Sequence, residues 1–178
     1  MTTFVVPTLR RRLRAAAGPS LLFGAVCAVV MLLAVGYSLY SKGFAPSFTR
    51  TGIALVVLSL PPALVAALTA YLIDCLLPVA GGVARGLLMG YALIVLGPGA
   101  SIGFFNLAYR LTYPGGFDPI WTKAGIHDVV WTAIATAYLF LISAPLLYWP
   151  WTLYAALALA LMFAWRRPAM GRFARHHH

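Results

Sequence analysis

The chain consists largely of long apolar stretches that no charged side chain interrupts. The longest covers residues 129–165, and three shorter ones cover residues 15–41, 51–73 and 86–109. Each is long enough for a helix that crosses a hydrocarbon layer about 30 Å thick, which takes roughly 20 residues. Stretches of this length do not fit inside the core of a soluble protein of 178 residues. The pattern therefore predicts an all-α integral membrane protein.

The last stretch predicts a helical hairpin rather than a single helix. Its 37 residues would form a helix about 55 Å long at about 1.5 Å per residue, well beyond the membrane thickness. The sequence Tyr148-Trp149-Pro150-Trp151 supplies a turn, because proline interrupts a helix and aromatic rings favour the membrane interface. We therefore expect a fourth helix near residues 126–147 and a fifth near 151–166.

The third stretch contains the strongest helix-breaking triplet of the chain, Gly97-Pro98-Gly99. It predicts a helix that is kinked or broken at this point, or a re-entrant pair of half-helices. The expected fold is thus a bundle of four or five transmembrane helices. Five full spans would place the two ends of the chain on opposite sides of the membrane, whereas a re-entrant segment would place them on the same side.

Charged residues are few and their positions are informative. Lys and Arg together number 13 against 3 acidic residues, so the net charge is +10. Clusters of arginine beside apolar stretches are the usual signal for the cytoplasmic side. They predict a cytoplasmic N-terminus, anionic lipid headgroups bound at the basic termini, and no nucleic-acid partner. The two clusters are Arg10, Arg11, Arg12 and Arg14 before the first stretch, and Arg166, Arg167, Arg172 and Arg175 after the last.

The organisation that follows is simple. We expect a basic cytoplasmic segment over residues 1–18, one transmembrane domain over residues 19–166, and a basic tail over residues 167–178. The last three residues of that tail, His176 to His178, resemble a purification tag. The alanine- and arginine-rich composition suits a multi-pass protein of a bacterial inner (plasma) membrane.

Residue types that carry out catalysis are scarce. The chain has no Glu, three Asp residues and, apart from the terminal three, one histidine. Acid–base catalysis and metal binding both draw on these residue types, so the composition argues against an enzyme and predicts no metal and no cofactor. The pair His127-Asp128 is interpreted as a cap of the fourth helix. Cys27 and Cys75 are expected to be reduced, buried thiols.

The most regular pattern is a ladder of glycines. Gly82, Gly86 and Gly90 follow one another at four-residue steps, and Gly99 and Gly103, beyond the proline, are again four residues apart. Glycines at this spacing share one helix face and allow another helix to approach closely. The ladder predicts a packing face, either within the bundle or for a partner chain.

Asp74 is the one acidic residue predicted to lie at membrane depth. An ionisable group there is costly, so it indicates either an ion pair or an ion or proton site. Arg85 follows after a short turn and is its expected partner. Asn106, with Ser101, lies beyond the triplet and could line a polar path together with Asp74 and Arg85.

These patterns favour a non-catalytic accessory or interaction subunit of a larger bacterial membrane complex, with other membrane subunits or further copies of the chain as partners. Abundant small-residue faces and few polar groups at depth are typical of such a protein. A small oligomeric transporter or channel for an ion or small solute is the alternative, and a lipid-modifying membrane enzyme comes third.

Overall fold

The computed structural model describes residues 9–43, 48–77, 80–112, 118–148 and 150–166, and every regular element in these ranges is a helix. Three helical stretches are long and apolar enough to cross a membrane, Leu13–Ser41, Leu55–Leu76 and Gly82–Leu111, and Trp151–Trp165 is a shorter apolar helix. An all-helical chain with helices of membrane-spanning length is therefore confirmed. The elements are α1 (Leu9–Ser41), α2 (Phe48–Leu76), α3 (Gly82–Tyr91), a π-helical segment (Ala92–Leu96), α4 (Gly97–Thr112), α5 (Lys123–Tyr148) and α6 (Trp151–Trp165).

The last two helices are divided where the sequence predicts it, and α5 begins three residues earlier than the predicted position 126. Helix α5 ends at Tyr148 and α6 begins at Trp151. Pro150 immediately precedes α6, a position where its missing N–H costs no helical hydrogen bond. Trp149 lies outside the described residues, as do residues 1–8, residues 113–117 of the predicted loop, and the tail from Arg167 onward.

Helix α1 begins before the predicted membrane domain. Its first residue is Leu9, ten residues ahead of Pro19, which lies inside the helix. The physical reason is that residues 9–17 are all Leu, Arg or Ala, which are strong helix formers. Against them, Pro19 removes a single helical hydrogen bond. The boundary at residue 18 between a basic segment and the membrane domain therefore falls within one continuous helix.

Of the two alternatives at Gly97-Pro98-Gly99, the structure has the single helical stretch and not the pair of half-helices. The chain stays helical from Gly82 to Leu111, a stretch of 30 residues. The five-residue π-helical segment directly precedes Gly97, whose N–H bonds to the carbonyl of Ala92. A π turn is wider than an α turn, which makes room for a proline ring that would otherwise clash with the carbonyl one turn earlier.

Helix α1 packs antiparallel to both α2 and α6. A Cβ built at Gly24 would lie 2.5 Å from that of Ala67, and one at Gly36 would lie 3.7 Å from Leu55, so the residue numbers run in opposite directions. At the far end of α1, the Tyr37 ring meets Trp151 at 4.9 Å. The buried core is formed mainly by α1, α2, α3 and α6: Phe23, Cys27, Met31, Ala63, Ala66, Ala70, Ile73, Met89, Leu93, Ala156, Leu159, Ala160 and Phe163.

Candidate functional site

Three charged residues meet at one end of the bundle, and we call them the charged cluster: Asp74, Arg85 and Arg166. An Nη2 N–H of Arg85 donates to Asp74 Oδ1 at 2.8 Å. Arg166 donates to the other carboxylate oxygen, Oδ2. It also donates from Nη1 to the carbonyl oxygen of Pro19 at 2.8 Å. One carboxylate thus links the end of α2 to the start of α3 and the end of α6, and Arg166 extends the link to α1.

The cluster is enclosed by protein. Asp74 is 2% exposed and Arg85 is 1% exposed. The guanidinium carbons of Arg85 and Arg166 each lie 4.9 Å from the centre of the Phe163 ring, which is a cation–π distance. Phe23 packs on Phe163 at 5.0 Å between ring centres. The aromatic rings therefore stabilise the two cations that the carboxylate brings together.

The helix dipoles make the pairing of Asp74 with Arg85 more important for stability. Asp74 lies in the last turn of α2, where the helix end is already negative, and Arg85 lies in the first turn of α3, where it is positive. Each charge is unfavourable at its own helix end. Their pairing offsets that cost, and Arg166, which follows the last residue of α6, adds a cation beside a negative helix end.

Sequence reasoning found Asp74 and Arg85 but missed Arg166. It counted Arg166 only as part of the arginine-rich C-terminal cluster, because the sequence left open on which side of the membrane that cluster lies. The signal that could have found it is the short fifth helix, which starts beside aromatic residues and ends at an arginine. Nothing in the sequence indicates that Gly24 lies against Ala67 or that Gly97 lies against Pro62.

The first three glycines of the ladder pack against α6. A Cβ at Gly82 would lie 2.9 Å from the carbonyl oxygen of Ala164, and one at Gly86 would lie 2.9 Å from the Cβ of Ala164. At Gly90 the corresponding distance, to Ala160, is 3.7 Å. These glycines therefore let α3 and α6 touch backbone to backbone, which side chains would prevent.

Gly99 and Gly103 do not take part in this packing. Both are exposed, and a Cβ built at either would meet no described atom within 4 Å. They keep the Gly-xxx-Gly spacing, and we call them the open face of α4. The sequence ladder is thus divided into a covered part on α3 and an uncovered part on α4.

A second polar feature lies where α4 crosses α2. A Cβ at Gly97 would lie 3.1 Å from the Cβ of Pro62, so the two proline-containing regions of the chain are in contact. Pro61 and Pro62 have no N–H to donate to the carbonyls one turn earlier in α2. Ser101 lies one turn beyond Gly97 and is fully buried, and its Oγ has no hydrogen-bond partner among the described residues.

The remaining predicted residues lie apart from the charged cluster. Asn106 is buried on α4 and, at about 1.5 Å per residue, lies about 30 Å along the helix from Arg85, so it is not in contact with that cluster. The predicted capping role of Asp128 is wrong. The Thr122 hydroxyl accepts the hydrogen bond from Gly125 N at 2.9 Å, because Thr122 directly precedes α5 while Asp128 lies beyond its first turn. His127 accepts a hydrogen bond from the Trp131 indole N–H at 2.6 Å.

Comparison with known proteins adds no relative: no protein-family model, curated protein or solved structure matches this chain.

Proposed function

We propose that this protein is a non-catalytic subunit of a larger membrane complex, which binds a transmembrane helix of a partner protein through the open face of α4. The observation that carries the proposal is the contrast between two sets of glycines. Gly82, Gly86 and Gly90 are used by α6, whereas Gly99 and Gly103 are exposed at the same spacing. Small residues at four-residue steps are the usual contact face between membrane helices.

The charged cluster supports a structural use of the polar residues. Asp74 makes ion pairs with both Arg85 and Arg166, so its two carboxylate oxygens are engaged in holding helices together. A carboxylate that carried ions or protons would need to be released from such partners during each cycle. The arrangement favours a stable subunit over a transporter that works through Asp74.

We place the charged cluster at the cytoplasmic face of a bacterial inner membrane, with α1, α2, the continuous α3–α4 helix and α6 as four passes. The α3–α4 helix runs away from Arg85, and Trp151 meets Tyr37 at the end opposite to the cluster. The chain between α4 and α6 therefore adds no net crossing. Arg14, Arg85 and Arg166 lie at the proposed cytoplasmic end, which fits the positive-inside rule.

Co-purification tests the proposal. The intact chain, extracted in mild detergent, should carry another membrane protein in a fixed ratio, and Gly103→Leu should lose it because the side chain holds the partner helix away. Gly52→Leu is the matched control, since a Cβ at Gly52 also meets no described atom within 4 Å. A chain that purifies only with copies of itself, in wild type and both variants, would contradict the proposal.

A second candidate function is a small transporter or channel, and the α2–α4 crossing is what favours it. Prolines leave backbone carbonyls without their helical donors, and such carbonyls can bind ions; here Gly97 contacts Pro62, and the buried Ser101 hydroxyl lies one turn further along α4. Flux through liposomes that Ser101→Ala abolishes, with the protein still folded, would favour this function. Normal partner retention in Ser101→Ala without any flux in wild type would favour the subunit.

A further inference from the structure

Arg85 has hydrogen-bond donors that the charged cluster does not use. One Nη2 N–H goes to Asp74, but Nε and Nη1 are buried without a hydrogen-bond partner among the described residues. Buried polar groups are nearly always paired, and an unpaired N–H next to hydrocarbon is costly. The Ser20 hydroxyl is also buried without a partner, one residue from the Pro19 carbonyl that Arg166 binds. This end of the bundle therefore has an excess of donors.

The charged cluster also has an excess of positive charge. Asp74 contributes one negative charge, and Arg85 and Arg166 contribute one positive charge each, so the cluster carries a net charge of +1. The N-terminus of α3 adds the positive end of a helix dipole beside Arg85. A monovalent anion with several acceptor oxygens would balance both the charge and the donors.

The edge of the cluster is open to the membrane surface. Gly81 and Gly82 are exposed at the start of α3, where the first backbone N–H groups have no helical acceptor. The Arg166 side chain is 18% exposed, so it is the member of the cluster that an incoming group reaches first. Exposed apolar side chains flank this end on two helices: Leu21 and Leu22 on α1 and Val83 on α3.

We propose that the charged cluster binds the phosphodiester of an anionic phospholipid headgroup. The phosphate oxygens accept hydrogen bonds from Arg166 and, after a shift of the Arg166 side chain, from the N–H groups that Arg85 does not direct at Asp74. The acyl chains lie against Leu21, Leu22 and Val83. This apolar border favours a lipid over free phosphate, because free phosphate has no acyl chains to pack against it. The proposal stands whether or not a partner protein binds α4.

Lipid retention by the purified full-length chain tests this site. Native mass spectrometry would compare phosphatidylglycerol with phosphatidylcholine in detergent, and thermal unfolding would be followed with each lipid and with inorganic phosphate. We expect about tenfold preferential retention of phosphatidylglycerol, because phosphatidylcholine has the same phosphodiester but also a quaternary ammonium, which the net positive charge of the cluster repels. Arg85→Gln should reduce it to near parity while the protein stays folded, because Asp74 keeps Arg166. Arg85→Lys should give an intermediate value, since lysine lacks the planar fork.

Lys123→Gln is the matched control, because Lys123 is an exposed cation at the start of α5 and belongs neither to the charged cluster nor to the two basic clusters at the termini. It should keep the preference that Arg85→Gln loses. Equal loss in both variants would show a diffuse attraction to positive charge and overturn the proposal. Equal retention of the two lipids by wild type would also overturn it, as would equal protection by inorganic phosphate. If Arg85→Gln does not fold, Arg85→Lys provides the test, and an unchanged preference in that variant would count against the site.

Discussion

The two halves of the long helix from Gly82 to Leu111 carry the same spacing of glycines and use it differently. On α3 the glycines lie against Ala160 and Ala164 of α6, close enough that a Cβ at Gly82 or Gly86 would overlap the neighbour. On α4, Gly99 and Gly103 face no described atom within 4 Å. A small-residue pattern therefore identifies a contact face. Whether that face is already covered depends on whether a second helix of the same chain packs against it.

The covered half also carries the ion pairs. Its first turn contains Arg85, and α6, which covers it, is followed by Arg166, so the charged cluster closes the end of the same interface. The α4 half instead presents exposed apolar side chains such as Phe104, Phe105 and Leu107. Changes in the covered half should therefore affect folding, whereas changes in the open half should affect association.

Asp74→Asn should have the largest effect. It leaves Arg85 and Arg166 without their shared carboxylate, and breaking a buried pair in this way costs about 3–5 kcal/mol. Thermal unfolding in detergent should show a much lower midpoint than wild type. Asp118→Asn, at an exposed position, is the control and should leave the midpoint unchanged. An Asp74→Asn protein as stable as wild type would show that the cluster does not hold the covered half together.

Gly86→Leu comes next. Its Cβ alone would lie 2.9 Å from that of Ala164, so α3 and α6 must separate, and overpacking of this kind costs about 1–3 kcal/mol. The unfolding midpoint should fall, and any partner should be lost only because less protein is folded. Wild-type stability of Gly86→Leu would contradict the close α3–α6 contact.

Arg85→Gln should lower the free energy of unfolding by about 1 kcal/mol. This is less than the loss expected for Asp74→Asn, because the carboxylate still has Arg166. The sequence alone predicts similar losses for the two variants, since it offers a single pair. Unfolding measured side by side on both variants separates a pair from a three-residue cluster. Equal losses of unfolding free energy in the two variants would show that Asp74 and Arg85 act as a pair without Arg166.

Gly103→Leu should have the smallest effect on stability, within about 0.5 kcal/mol, since the new side chain enters open space. Its effect should appear in association alone. A drop in the unfolding midpoint of the isolated chain as large as that of Gly86→Leu would show that α4 is covered after all.

The sequence predicts the helices well and their neighbours poorly. Apolar run length and the proline predict the end of α5 and the start of α6 at Trp151, since both the length limit and the proline act locally. At Gly97-Pro98-Gly99 the sequence leaves two alternatives, because the π-helical segment and the contact with Pro62 are not contained in any local rule. Asp74 and Arg85 are found because they are close in sequence. Arg166, 92 residues from Asp74, requires the path of α6 to be known.

Site-directed photo-crosslinking in intact membranes tests whether a helix of a partner protein lies on the open face of α4. A photo-crosslinking amino acid at position 107, which is exposed one turn beyond Gly103, should give one discrete product with another membrane protein. The same amino acid at position 29, equally exposed on α1, should give none, and Gly103→Leu should remove the product from position 107. If position 107 is crosslinked only to lipid, or identically with and without Gly103→Leu, the open face of α4 is not the partner site.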